Sequence, residues 1–455
     1  MSVISGKFQS FDWRRGGRFA IACLSGAVVF GAAAQDVAAQ VSGDTLHLTL
    51  ADARELSFRS NPDLAAARLD VDIARGEFRQ ASVLFRSNPT VEYYDEGRSG
   101  NGPEGLVGQE VEVFGQRGAR RGAARAGMQR ASAGVVDAAR LTIGDTDRLF
   151  YQLIAAGRRT ELAAEVFGLN QRLADVVQRQ LDAGKVSRLE FNLATVELGR
   201  SRARALAAGR ERDQVALDLA RFLGIAPGTP VVPVPDSTMP LPSSVADSGA
   251  APVAPPRRDT LHLDLDSLTA LALTRRPDLA EREAATRQAA AAASVASREG
   301  LPSLSLRLLS EERADGSGQA LRPGVGISVP LFNRNRGSVE AQRALARQSE
   351  LRRAGLERRV RVEVARAVRG YENATAEVAV LESAVLPAAR ENRRLLETAY
   401  REGKVGLPVL LLIRNQVIDA ELEYWAAWLA AREALADLAE TTAGNLPAVT
   451  PAGQK

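Results

Sequence analysis

Residues 107–118 read VGQEVEVFGQRG, and residues 325–337 read VGISVPLFNRNRG. Each stretch opens in alternation and runs into a long segment of Arg, Ala, Glu and Gln. In the second, Val325, Ile327, Val329 and Leu331 share one side, opposite Gly324, Gly326, Ser328 and Pro330. In the first, Val107, Val111 and Val113 oppose Glu110 and Glu112. Period two with one apolar face predicts strands, either of a half-buried sheet or of a membrane barrel with a wet lumen.

Each stretch has an upstream mate. Leu304, Leu306 and Leu308 alternate with Ser303, Ser305 and Arg307. The predicted pairs are 90–96 with 106–114, joined by the Gly-rich 97–105, and 303–311 with 324–332, joined through 314–318. Downstream, helices are predicted over 117–181 and 338–400, each about 95 Å long at the α-helical rise. Leu162, Val166, Leu169, Leu173 and Val176 are spaced 4-3-4-3, and Tyr371, Ala374, Val378, Leu381 and Val385 are spaced 3-4-3-4. A narrow 3.5-type seam indicates rods that need partners along their length. Pro387 is expected to kink the second rod.

The rods end at Gly184-Lys185-Val186-Ser187 and Gly403-Lys404-Val405-Gly406, and a second helix returns from each, ending near Leu223 and Glu440. Glycine ending a helix and reversing the chain is ordinary capping chemistry. The two lysines are the only ones between residue 7 and the last residue. They are either solvated turn residues or parts of a contact tip for another protein.

The architecture is therefore written twice. Thr45-Leu46-His47-Leu48 recurs as Thr260-Leu261-His262-Leu263, and Asn61-Pro62-Asp63-Leu64-Ala65 as Arg276-Pro277-Asp278-Leu279-Ala280. Matched landmarks in one order identify an internal repeat. His47 and His262 invite a metal reading, but inheritance through the duplication explains both more simply. Helices are also predicted over 50–85, restarting at Asn61-Pro62, and over 265–298. The order is a signal segment at 1–34, a first repeat at 35–225 with hairpin 117–223, a linker at 226–258, a second repeat at 259–445 with hairpin 338–440, and a tail at 446–455. The linker holds nine of the twenty prolines and reads as extended.

Residues 1–34 carry Lys7, Arg14, Arg15 and Arg18, then an apolar run from Phe19 to Phe30, then Ala32-Ala33-Ala34. That is the order of a secretory signal, with cleavage expected near Ala34. The single cysteine, Cys23, falls inside it. Without those residues the net charge drops from +4 to about +1, since four cations and Asp12 leave together. Near-neutral charge, with six Tyr and three Trp in 455 residues, argues against a nucleic-acid partner. Two histidines and one cysteine exclude a disulfide framework and the multi-cysteine zinc motifs. No stretch beyond the N-terminus is apolar and long enough to span a bilayer as a helix.

A strand pair followed by a very long helical hairpin, repeated after a secretory signal, resembles the TolC outer-membrane efflux protein family over about residues 44–445. The runs Leu386-Pro387-Ala388 and Tyr400-Arg401-Glu402-Gly403 are similar to that family's approach to its hairpin turn. Pro330-Leu331-Phe332-Asn333-Arg334-Asn335-Arg336-Gly337 and Val113-Phe114-Gly115-Gln116-Arg117 resemble its cobalt–zinc–cadmium (CzcC-like) branch. The resemblance implies a mainly helical fold with a membrane β-barrel portion. In it a homotrimer closes a twelve-stranded barrel in outer-membrane lipid above an α-helical barrel in the periplasm. It implies a passive exit duct with no enzyme activity and no cofactor, met at its tips by a periplasmic adaptor protein and, through that, an inner-membrane pump. The adaptor-contact tips would be Gly184, Lys185, Val186 and Ser187 with Gly403, Lys404, Val405 and Gly406.

One departure concerns the entrance. Family members carry aspartates six and nine residues after the second tip glycine, where this chain has Val409 and Leu412. In the first repeat Glu190 stands at the six position and Leu193 at the nine position. Glu190 would either give a ring of three negative charges favouring cations or pair with a neighbouring helix. An apolar constriction within 407–413 is the competing gate. Divalent heavy-metal cations are the cargo implied by the branch, with a drug or solvent duct as the alternative and a periplasmic coiled-coil adaptor or scaffold as a third reading.

Overall fold

The computed structural model describes residues 45–94, 104–234, 264–312 and 317–444, all within one compact unit. The signal segment, His262, the linker beyond Val234 and the tail at 446–455 lie outside the described residues. Strand β1 (Leu46–Leu48) leads into α1 (Leu50–Ser60) and α2 (Pro62–Ser82). Thr49 and Asp52 close a reciprocal capping box on α1. Asn61 ends α1 and caps α2, its side chain accepting from the Asp63 and Leu64 N–H groups, and Pro62 supplies a first-turn residue whose missing donor costs nothing there.

Next come β2 (Thr90–Tyr94), β3 (Glu104–Val111), the 67-residue α3 (Gln116–Asp182) and α4 (Arg188–Leu223). Then β4 (Val231–Pro233) pairs in parallel with β1, so the start of the segment read as extended linker is a strand. The second repeat supplies α5 (Leu265–Arg275), α6 (Pro277–Glu299), β5 (Ser303–Glu312), β6 (Gln319–Ser328) and α7 (Arg336–Val380). A single π turn at Leu381–Val385 follows, then α8 (Leu386–Arg401) and α9 (Leu407–Thr442).

Three differences from the predicted spans have physical causes. β3 stops at Val111 and not at 114, because the chain must reach Gly115, whose φ of 77° opens α3. β6 runs over 319–328 and not 324–332: Pro330 has no donor for a ladder, and β5 offers pairing at the other end down to Glu312. The second rod is also interrupted. Pro387 removes one helical hydrogen bond and crowds the carbonyl four residues back, and the chain absorbs this as the π turn just before it. The first rod has no proline and runs unbroken.

One antiparallel sheet joins the repeats in the order β2-β3-β5-β6, with β3 and β5 as its central pair. Three apolar clusters hold the helices. The largest gathers Phe150, Tyr151, Leu219, Leu223, Val378, Leu381, Tyr424 and Trp428 from both repeats, against β1 and β4. A second lies between α5, α6, α7 and α9 around Val360 and Val364. The third is at the tips. In the first-rod seam it is Val177, and not Val176, that is fully buried.

Candidate functional site

The sheet is the first part of the site. Register places Val91, Val107 and Leu308 in one row, Gln109, Leu306 and Val325 in the next, and Val111, Leu304 and Ile327 in a third. On the opposite face, Glu92, Leu106, Leu309 and Arg322 form one row and Glu110, Ser305 and Gly326 another. Arg322 pairs with Glu311 on that polar face at 3.1 Å. Val91, Tyr93, Val107, Leu306, Leu308, Leu321, Val325 and Ile327 are all exposed. The outer strands β2 and β6 each have one unpaired edge among the described residues. No helix among the described residues is long and apolar enough to cross a membrane. An apolar face with two open edges needs both a nonaqueous surround and further strands.

At the other end, both hairpin turns are built alike. Gly184 and Gly403 adopt φ of 68° and 72°, the left-handed region that glycine enters without penalty. The next N–H groups reach back in parallel fashion, Lys185 to the Gln180 carbonyl at 2.8 Å and Lys404 to the Ala399 carbonyl at 2.9 Å. Each is a Schellman cap, which satisfies the last carbonyls of a helix. Val186 and Val405 pack into the tip cluster with Val177, Ala194, Leu396, Leu407, Leu410 and Leu411.

The turns then diverge. Ser187 caps α4 in a reciprocal box with Glu190, whereas Gly406 starts α9 with no side-chain cap and relies on Pro408 in the first turn. Lys404 is held by Glu402 at 2.6 Å, both exposed. Lys185 is exposed and has no carboxylate partner among the described residues. Glu190 is half-buried, and burial together with its negative charge pushes the Tyr400 phenol up. The predicted apolar run is split by its helix: Leu410 is 7% exposed, while Val409 and Leu412 are 44% and 62% exposed. Val409 and Leu412 therefore point away from their own hairpins.

The predicted site residues thus come together as one tip, with the sheet apart from it. His47 lies exposed on β1. Among the described residues no cluster of three or more His, Cys, Asp or Glu is placed to hold a metal ion. Sequence reasoning missed the ties between repeats. Arg148 binds Asp437 at 2.7 Å and also Glu440, and Arg140 reaches the Glu440 carbonyl at 3.1 Å, which stitches α3 to α9. It also missed Glu421 and the Tyr424–Glu382 hydrogen bond beside the π turn, of which Pro387 was the only signal.

Residues 268–444 match the model of the outer membrane efflux protein family, a span that lies within the second repeat. The chain is 23% identical over 388 residues to the cobalt-zinc-cadmium resistance protein CzcC of Cupriavidus metallidurans, covering 83% of this chain and 85% of that protein. Its fold is similar to that of the outer-membrane channel OprN, with a TM-score of 0.70 at 19% identity over 87% of this chain and 90% of that one. It is also similar to CusC, with a TM-score of 0.68 at 17% identity over 86% and 91%. The resemblance seen in the sequence and the fold it implied both hold.

Proposed function

We propose that this chain belongs to the outer membrane efflux proteins, that it is the outer-membrane exit duct of a three-part export system, and that it conducts divalent heavy-metal cations. The sheet carries the reading: one apolar exposed face, one polar face, and two unpaired edges. Three copies joined β6 to β2 close a barrel of twelve strands, remove every edge, and present the apolar rows to lipid and the polar rows to a lumen. The duct is passive, and the work comes from an inner-membrane pump coupled through a periplasmic adaptor.

The tips at 184–187 and 403–406 are the adaptor contact, and the exposed Val409 and Leu412, repeated three times, are the constriction. The likeness to CzcC supports metal cations as cargo. A duct must release what it carries, so the reading needs no tight ligand set. A deletion strain tested on zinc, cobalt, cadmium and nickel salts beside dyes, detergents and antibiotics decides the cargo. Selective metal sensitivity with raised cell-associated metal is expected. Sensitivity to the organic panel alone would discard the metal assignment and keep the duct.

A further inference from the structure

Away from the sheet and the tips, one carboxylate is buried without a partner among the described residues. Glu421 on α9 is 9% exposed, and its Oε1 has no hydrogen-bond partner. The charged groups facing it are Arg393 and Arg390 from α8 and Glu165 from α3, and none of the three forms an ion pair with it. One turn further along α9, the buried Tyr424 donates its hydroxyl to Glu382 Oε1 at 3.1 Å. Glu382 sits inside the π turn at Leu381–Val385, and α8 begins on the far side of that turn. The orphan carboxylate therefore faces the helix that hangs from the break. In the first repeat α3 passes through without one.

Resting on the proposed duct, we propose that Glu421 is a proton-sensitive latch: its neutral carboxyl keeps α8 packed on α9, and its ionisation loosens α8 about the π turn. Burial favours the neutral acid, Arg393 and Arg390 oppose it, and Glu165 reinforces it, leaving the Glu421 carboxyl above the ordinary glutamate range. A group raised in the packed state stabilises that state in acid, and the contribution is lost as pH rises through the raised value. Acid therefore holds α8 down and neutral pH frees it. Glu165 and Glu382 are carboxylates near it among the described residues, so each needs its own control.

The test is hydrogen exchange of the purified full-length protein from about pH 5 to about pH 7.5, with protection corrected for the intrinsic rate at each pH. Wild type is expected to lose roughly tenfold protection over 386–401 as pH rises, while 150–170 of α3 stays constant. Glu421→Gln should hold α8 protected at every pH. If that variant fails to fold, Glu421→Met, neutral and of similar length, is read the same way. Tyr424→Phe should lower protection throughout but keep the slope. A wild-type slope surviving in Glu421→Gln, or one abolished equally by Glu165→Gln or Glu382→Gln, overturns the latch. Conductance of the same samples in planar bilayers tests the duct separately, since exchange of α8 is measured whether or not current flows.

Discussion

The Glu190 carboxylate accepts from the Ser187 N–H at 2.8 Å and from its hydroxyl at 3.0 Å, while the Glu190 N–H donates back to that hydroxyl at 3.2 Å. The residue with the strongest claim to a charged entrance ring is thus already engaged at the start of its own helix. Glutamine serves in the same capping position. Glu190→Gln is therefore expected to preserve trimers and export, while Glu190→Ala and Ser187→Ala each destabilise the tip by about 1 kcal/mol, read as faster amide exchange at the start of α4. Loss of cation conductance in Glu190→Gln alone would restore the charged ring.

Val409 and Leu412 stand exposed on α9 while Leu407, Leu410 and Leu411 fill the tip cluster. An apolar ring gates by excluding water. Val409→Ser with Leu412→Ser should raise resting single-channel conductance several-fold and admit bulky antibiotics to the cell, with thermal stability little changed. Leu410→Ala should do the reverse, losing roughly 2–5 kcal/mol of stability through its cavity before any change in conductance. Unchanged conductance in the double serine variant would move the constriction elsewhere.

The two tip lysines differ in freedom, since Lys404 already pairs with Glu402. If the tips meet an adaptor, Lys185→Glu should weaken its recovery in pull-down more than Lys404→Glu does, and the gap should shrink as salt rises. Equal recovery with both variants would return the lysines to ordinary turn residues.

On the sheet, Leu306 and Val325 are register partners on the apolar face, and Ser305 and Gly326 on the polar one. Leu306→Arg or Val325→Arg should cost about 2–4 kcal/mol near the bilayer centre and remove the heat-dissociable trimer on gels. Ser305→Arg should leave the trimer intact. Tolerance of arginine at both apolar positions would argue that this face does not meet lipid.

Asp278 holds Arg276 in a two-pronged pair at 3.1 and 2.6 Å, and Arg276 also reaches Glu363 at 2.7 Å. Burial opposes ionisation of Asp278, but the hydrogen bonds and charge of Arg276 outweigh it and hold the carboxyl below its usual value. Such a group contributes stability above the ordinary aspartate range, and the contribution is lost as pH falls through the depressed value. Asp278→Asn should therefore lower the melting temperature at neutral pH, by an amount equivalent to about 3 kcal/mol for a broken buried pair. The two proteins should converge in strong acid, and a gap that persists there would assign the effect to packing.

Much of this was legible in the chain itself. Alternation at 304–308 and 325–327 fixed which side chains share a face, because a strand turns over every residue whatever surrounds it. Glycine followed by lysine marked both hairpin ends, because only the left-handed backbone at Gly184 and Gly403 lets a helix close on a Schellman cap. Those signals are local, and they arrive with period and position attached.

What the tertiary structure alone decided is what those elements touch. Nothing in residues 407–413 says that Leu410 turns inward and Leu412 outward, since that depends on where three other helix ends pack. Ser187 and Glu190 are visible as a capping pair only once α4 is known to begin at Arg188. The arginines joining α3 to α9 and the isolation of Glu421 beside the π turn involve partners about 250 to 300 residues apart or on separate helices. Alternation and capping depend on neighbours along the chain. Burial and electrostatic partnership depend on neighbours in space, and only the folded chain chooses those.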